Sequence, residues 1–304
     1  MSDEPKSSRG AELCCAKWSG FLHSGAPVKE RFQEIDDKNE ALRDFLSTDR
    51  NAPQFLARYE KAWIYHDNAL EGVIYADAEL DAALRPVPAN TEAGMAPAVL
   101  EIRNHKAAIE YVRHEAQTHA KKPLSLTVES IKHLHDLFIG NTPSALALRA
   151  QLERRERTEK ELAKELAKSG FRRDMPLHRT YFHDIAQPGK IPGLLEKLAE
   201  LTHSTEFKEF HPIKQAAVVQ HQLLQIFPFS EHSGKVGRMS SNMYLLRGHY
   251  LPCIIHSIDR QRYYEAFRGN SSAFRLLLMD AIENSLDNAL KFFREQARVF
   301  RAQR

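Results

Sequence analysis

Apolar residues recur at three- and four-residue spacing through nearly the whole chain, and that period restricts it to a fold built mainly of helices. Ala217, His221, Leu223, Leu224 and Phe227 mark one such face. The pattern predicts helices over 28–47, 53–73, 95–119, 126–139, 145–168, 190–203, 211–226, 234–248, 260–268 and 272–301. Strand patterns are rare. The best is 176–185, PLHRTYFHDI, followed by the turn formers Gln187, Pro188 and Gly189, which predicts a short hairpin. The stretch 85–97, RPVPANTEAGMAP, reads as a proline-broken loop. The expected fold class is mainly α with a small β-hairpin.

The 304 residues allow one large domain or two modest ones. A net charge of +3, from 43 basic and 40 acidic residues, gives no reason to expect general nucleic-acid binding. Short basic pairs such as Arg172-Arg173 read as solvated surface. The three cysteines, Cys14, Cys15 and Cys253, form no CxxC and suit a reducing compartment. The polar start has no secretory apolar region, and no apolar run approaches the ~20 residues of a membrane span. A cytoplasmic protein without membrane contact is expected, and a translocated effector with a dedicated signal fits the same sequence. Residues 1–26 read as a flexible polar tail. The stretch 149–168, dense in both charges, reads as an exposed helix held by i,i+4 pairs, or as a partner-binding arm.

The stretch 226–238, IFPFSEHSGKVGR, carries the chemistry. Pro228 breaks a helix that ends near Ile226, and a new helix begins near Gly234. The first turn of a helix has open N–H groups and the positive end of the dipole, so it attracts phosphate. Ser233 and Gly234 are small enough for phosphate to reach the backbone. Lys235 and Arg238 project from the first turn as candidate phosphate ligands. Glu231 is placed to hold a Mg²⁺ that bridges phosphates.

This stretch resembles the signature of Fic (Fido) domain proteins, HPFx[D/E]GNGRxxR, with Pro228, Phe229, Glu231, Gly234 and Arg238 matching it. Lys235 stands for an Arg. Phe227 replaces the His, His232 a Gly and Ser233 the Asn. HPIKQAAVVQHQLLQI before the signature, YLLRGHYLPCII and DRQRYYEAF after it, and EIRNHKAAIEYV far upstream are similar to the family's core. Those segments include Arg260, Tyr263, Tyr264, Glu101 and Asn104. The GFRRDMPL segment and the HRTYFHD hairpin, with Arg179, Thr180, Tyr181 and Phe182, resemble the family's target-docking flap. DNALEG, residues 67–72, resembles the inhibitory motif [S/T]xxxE[G/N], with Glu71 and Gly72 matching and Asp67 in place of Ser or Thr.

The resemblance implies a Fic-type helical core over 95–301, with a charged helical insertion near 145–168. N-terminal helices over 27–90 include the inhibitory one. It implies AMP transfer from ATP to a Ser, Thr or Tyr hydroxyl of a target protein, with Mg²⁺. It also implies a Glu71–Arg238 ion pair that restrains the enzyme, and it admits a homodimer. The signature His is the family's general base, and Phe227 cannot accept a proton. His232 reads first as a phosphate contact or surface residue, then as a pocket block, and last as a relocated base. His221 reads as buried and structural, His211 as a helix cap, and His178 and His183 as flap surface. Three functions follow: an altered protein adenylyltransferase, an inactive nucleotide-binding or scaffold pseudoenzyme, or a transferase using another nucleotide-linked donor.

Overall fold

One helix of this protein has no solvent face. Every residue from Ser233 to Leu245 is buried, polar side chains included, so the helix must be wrapped on all sides. The structure, a computed structural model, describes residues 26–86, 96–118, 124–140, 170–176 and 185–302. In chain order the helices are α1 (Ala26–Thr48), α2 (Ala52–Leu70), α3 (Asp77–Leu84), α4 (Pro97–Thr118) and α5 (Val128–Phe138). They continue as α6 (Ile191–His203), α7 (Thr205–Lys208), α8 (Pro212–Ile226), α9 (Ser233–Arg247), α10 (Arg260–Arg268) and α11 (Ser271–Ala302).

The helix buried from Ser233 to Leu245 is α9. It packs most closely on α8, and α4 and α5 close its other sides. Helix α11 covers α8, and α1 lies along α11. The last pairing is sealed by charge: Arg31 pairs with Asp280 and Glu283, and Lys38 with Glu283 and Asp287. A single apolar core runs through all of this, from Ile35 on α1 through Trp63, Ile109 and Leu223 to Phe293 on α11. Helix α8 starts where the sequence expects. Pro212 occupies the first turn, and the His211 imidazole accepts from the Ile213 N–H at 3.2 Å. That imidazole also reaches Asp36 at 3.0 Å, tying α8 to α1.

The hairpin expected over 176–185, with its flap residues Arg179, Thr180, Tyr181 and Phe182 and with His178 and His183, falls on 177–184, outside the described residues. The tail and the charged stretch near 145–168 also lie outside them. The Gln187-Pro188-Gly189 turn is a short 3₁₀ turn, Pro188–Lys190. Two expectations are corrected. The helix read over 53–73 stops at Leu70, because Gly72 takes φ +89°. The Val73 N–H returns to Asn68 O at 3.1 Å and the Gly72 N–H to Ala69 O at 3.0 Å, a Schellman ending. The surface reading of Arg172 is also wrong: only 4% of it is exposed. Its guanidinium is drawn inward by backbone carbonyls that the break at Pro228 leaves without helical partners.

Candidate phosphate site

The turn between α8 and α9 is held in a costly shape. Phe227 and His232 both adopt left-handed backbone, φ 48° and 62°, which a side chain disfavours by ~1–2 kcal/mol. Several contacts compensate at Phe227. Its ring is buried, and its carbonyl accepts from Arg172 Nε at 2.6 Å. The same guanidinium donates to Ile226 O at 3.3 Å, to Asp174 O at 3.1 Å and to Ala186 O. Within the loop, the Ser233 hydroxyl donates to Phe229 O and accepts the Phe229 N–H, both at 2.8 Å. Phe229 is fully buried, and the His135 ring of α5 stacks on it with centroids 3.9 Å apart.

Helix α9 then opens toward the end of α2. Its first intrahelical bond is Val236 N–H to His232 O, so the N–H groups of Ser233, Gly234 and Lys235 precede the ladder. The Schellman ending of α2 delivers Glu71 to this spot. A Cβ placed on Gly234 would lie 2.1 Å from Glu71 Oε1, and Arg238 Nη2 donates to that oxygen at 2.7 Å. The Glu71 carboxylate thus rests on the bare backbone at the helix start, where an anion is best stabilised.

Arg238 is the centre of a larger buried network. Its Nε donates to Asp67 Oδ1, Nη2 lies 3.3 Å from Asp67 O, and Nη1 donates to Tyr263 Oη at 3.2 Å. On its other side, Asp67 Oδ2 lies 3.2 Å from His105 Nε2, but off a hydrogen-bond axis. Asn68 contacts His105 Nδ1 at 3.0 Å. Burial opposes charge on Arg238, yet Asp67, Tyr263 and Glu71 hold its pKa well above the ordinary value. Burial lowers the Lys235 pKa, against the pull of Asp67 and Glu71. Burial, with Lys235 and Arg238 nearby, puts His105 well below its usual range and keeps it neutral.

The expected site residues divide into groups. Ser233, Gly234, Lys235 and Arg238 converge with Glu71 at the start of α9, and Lys235 and Arg238 are both buried. Gly72 serves by its backbone, ending α2 so that Glu71 faces α9. The Ser233 side chain is engaged inside the loop, which leaves its N–H for an anion. Glu231 is exposed at the rim. His232 is half-buried beside Phe138, and burial, with Lys235 and His135, pushes its pKa down to about 3. His221 is buried against Phe267 and Phe274. Asp67, Arg172, His105 and His135 were not foreseen as part of the site. For Asp67 a signal existed, since an acid at the Ser/Thr position of DNALEG lies one helical turn before Glu71.

Among the described residues, no group of three or more His, Cys, Asp or Glu side chains is placed to hold a metal ion. Glu231 offers a lone exposed carboxylate, which suits a Mg²⁺ that takes most of its ligands from phosphates and water. Among the same residues no helix is long and apolar enough to cross a membrane.

Residues 125–245 match the model of the Fic/DOC family. The protein adenylyltransferase Fic of Aedes aegypti is 27% identical over 275 residues, covering 85% of this chain and 47% of its own length. That of Culex quinquefasciatus is 25% identical over 269 residues, with 85% and 47% covered. The chain thus spans about half the length of the curated relatives it matches. A Fic domain containing signaling protein from Bacteroides thetaiotaomicron superposes with a TM-score of 0.65 at 16% identity, covering 87% of this chain and 98% of the other. Fic-1 (aa134 - 508) from C. elegans gives 0.63 at 16% identity, with 95% and 80% covered. The two structures share the fold.

Proposed function

We propose, from the match of residues 125–245 to the Fic/DOC family model, that this chain binds a nucleotide through the start of α9 as a self-restrained relative of the protein adenylyltransferases. The observation that carries the proposal is the seat of Glu71 Oε1, on Gly234 and 2.7 Å from Arg238 Nη2. A side-chain carboxylate there stands in for a phosphate. When Glu71 withdraws, the open N–H groups of Ser233, Gly234 and Lys235, together with Arg238 Nη2, receive the nucleotide's phosphate in its place. Glu231 would hold a Mg²⁺, which would supply charge neutralisation at the phosphates.

The reaction class is AMP transfer from ATP to a protein hydroxyl. It is slow in this chain because of Phe227. The hydroxyl's proton needs an acceptor at the turn, and an aromatic ring offers none. His232 is a poor substitute, since a pKa of about 3 makes it a weak base near neutral pH. Positioning and phosphate electrostatics remain, and in this class of chemistry they supply much of the catalysis. The same Phe227 favours a second reading: a nucleotide-binding scaffold that transfers nothing.

The test uses Glu71→Gly with Mg²⁺ and ATP labelled on the α-phosphate. Tighter ATP binding than the parent supports the restraint, and unchanged affinity in a calorimetric titration removes it. Covalent label on protein, abolished by Arg238→Ala, supports the transferase. Binding without label selects the scaffold.

A further inference from the structure

Arg275, in the second turn of α11, is buried without a partner. Only 5% of it is exposed, and its Nε is sealed from solvent with no acceptor. Among the described residues no carboxylate or carbonyl accepts a hydrogen bond from any part of its guanidinium. Arg172 and Arg238, buried to the same degree, are held by carbonyls and carboxylates. A buried charge is tolerated where an opposite charge or a set of acceptors meets it. Arg275 has neither.

Its surroundings add positive charge. Helix α11 packs against α8, and across that contact Arg275 pushes down the pKa of the half-buried Lys214, after burial itself. The Lys214 Nζ rests over the Phe210 ring, 3.4 Å from its centroid, on a stem that can turn. Exposed Glu206 pulls on Lys214, but among the described residues it forms no ion pair with either cation. The start of α11 contributes the positive end of a long helix dipole. There Asn270 Oδ1 accepts the Ala273 N–H at 2.9 Å and Asn270 O the Phe274 N–H at 3.3 Å, so the N–H groups of Ser271 and Ser272 precede the ladder. The Cα–Cβ bond of a helical residue tilts toward the N-terminus, which sets Arg275 on the side of the buried Ser271, one turn earlier.

We propose that Arg275 and Lys214, with the start of α11, form a binding site for a phosphate-type oxyanion, separate from the start of α9. A guanidinium fork, an ammonium from a second helix and the N–H groups of a helix start approach from different directions. That set suits a tetrahedral oxyanion better than a flat carboxylate. The inference does not depend on the nucleotide reading.

The test uses inorganic phosphate as the probe, at an ionic strength held constant with chloride. The melting temperature of the full chain is followed as phosphate rises to about 20 mM. A site with a Kd of about 1 mM raises it by about 3 °C. Arg275→Met, which keeps an apolar stem of similar length without the charge, should lose this rise. In chloride alone it should melt no lower than the parent, because it removes an unpaired buried charge. Lys214→Gln should weaken phosphate about threefold or more. No rise in the parent overturns the inference. A rise that persists in Arg275→Met belongs to the start of α9 or to general exclusion of phosphate from the surface, and also overturns it. If Arg275→Met melts more than about 5 °C lower in chloride or does not fold, the fold itself holds Arg275 and the inference fails. Phosphate affinity unchanged by Lys214→Gln, which alters only a half-buried side chain, fails it as well.

Discussion

The Glu71 carboxylate occupies the space that a side chain on Gly234 would need, with Oε1 2.1 Å from the position of a Cβ there and 2.7 Å from Arg238 Nη2. The glycine is helical, so a methyl group strains no backbone at that position. Its cost is the displacement of Glu71. Gly234→Ala should destabilise the parent by about 1 kcal/mol and cost less than half of that in Glu71→Gly. A double-mutant cycle by urea denaturation measures the coupling. Equal costs in both backgrounds would mean that the pair adds no stability.

Arg172 fastens the turn from behind. Its guanidinium serves the carbonyls of Phe227, Ile226 and Ala186, which no single ammonium can reproduce. Arg172→Ala should cost about 3 kcal/mol in chemical denaturation, and Arg172→Lys should recover less than half of it. A loss under about 1 kcal/mol would show that water replaces the clamp.

Phe227 is the position at which the proposed transfer chemistry can be tested. Imidazole is smaller than phenyl, and His tolerates left-handed backbone better than most residues, so the φ of 48° is no obstacle. Phe227→His in a Glu71→Gly background should raise protein labelling from ATP by about 10²-fold or more. No increase, with ATP still bound, would place the defect at His232 or Ser233.

His232 gives the turn a pH dependence. Burial, then Lys235 and His135, hold its folded pKa at about 3, far below the ordinary 6.5. The unfolded chain therefore takes up the proton first. Stability is complete above about pH 6.5 and falls as the pH drops toward 3. Between about pH 7.5 and pH 5 this site should cost about 1–2 kcal/mol. His232→Gly removes that loss and also relieves the φ of 62°, so it should stabilise the protein more at pH 5 than at pH 7.5. Denaturation curves at the two values decide, and a gain equal at both would assign the effect to backbone relief alone.

The helices were legible because burying one face imposes a local period. Helix α8, expected over 211–226, is Pro212–Ile226, and α10 matches at both ends. The short α3 and α7 were missed because each offers too few turns for a period to stand out. Overrunning the end of α2 had the opposite cause, since one glycine stopped a helix whose apolar pattern continued. At the site, the break at Pro228 and the small residues at 233–234 were plain in the sequence, as was a phenylalanine at 227 where the signature it resembles has a His.

What the sequence could not decide was which charges meet. Arg172 read as surface because nothing local marks a carbonyl-lined niche made by residues 186, 226 and 227. Asp67 and Arg238 lie 171 positions apart, and only the packing of α2 against the start of α9 puts a second carboxylate on that guanidinium. Local spacing determines helices, breaks and caps because those interactions span a few residues. Ion pairs inside a core are chosen by tertiary packing, because burying a charge is tolerable only where the fold brings its partner to it.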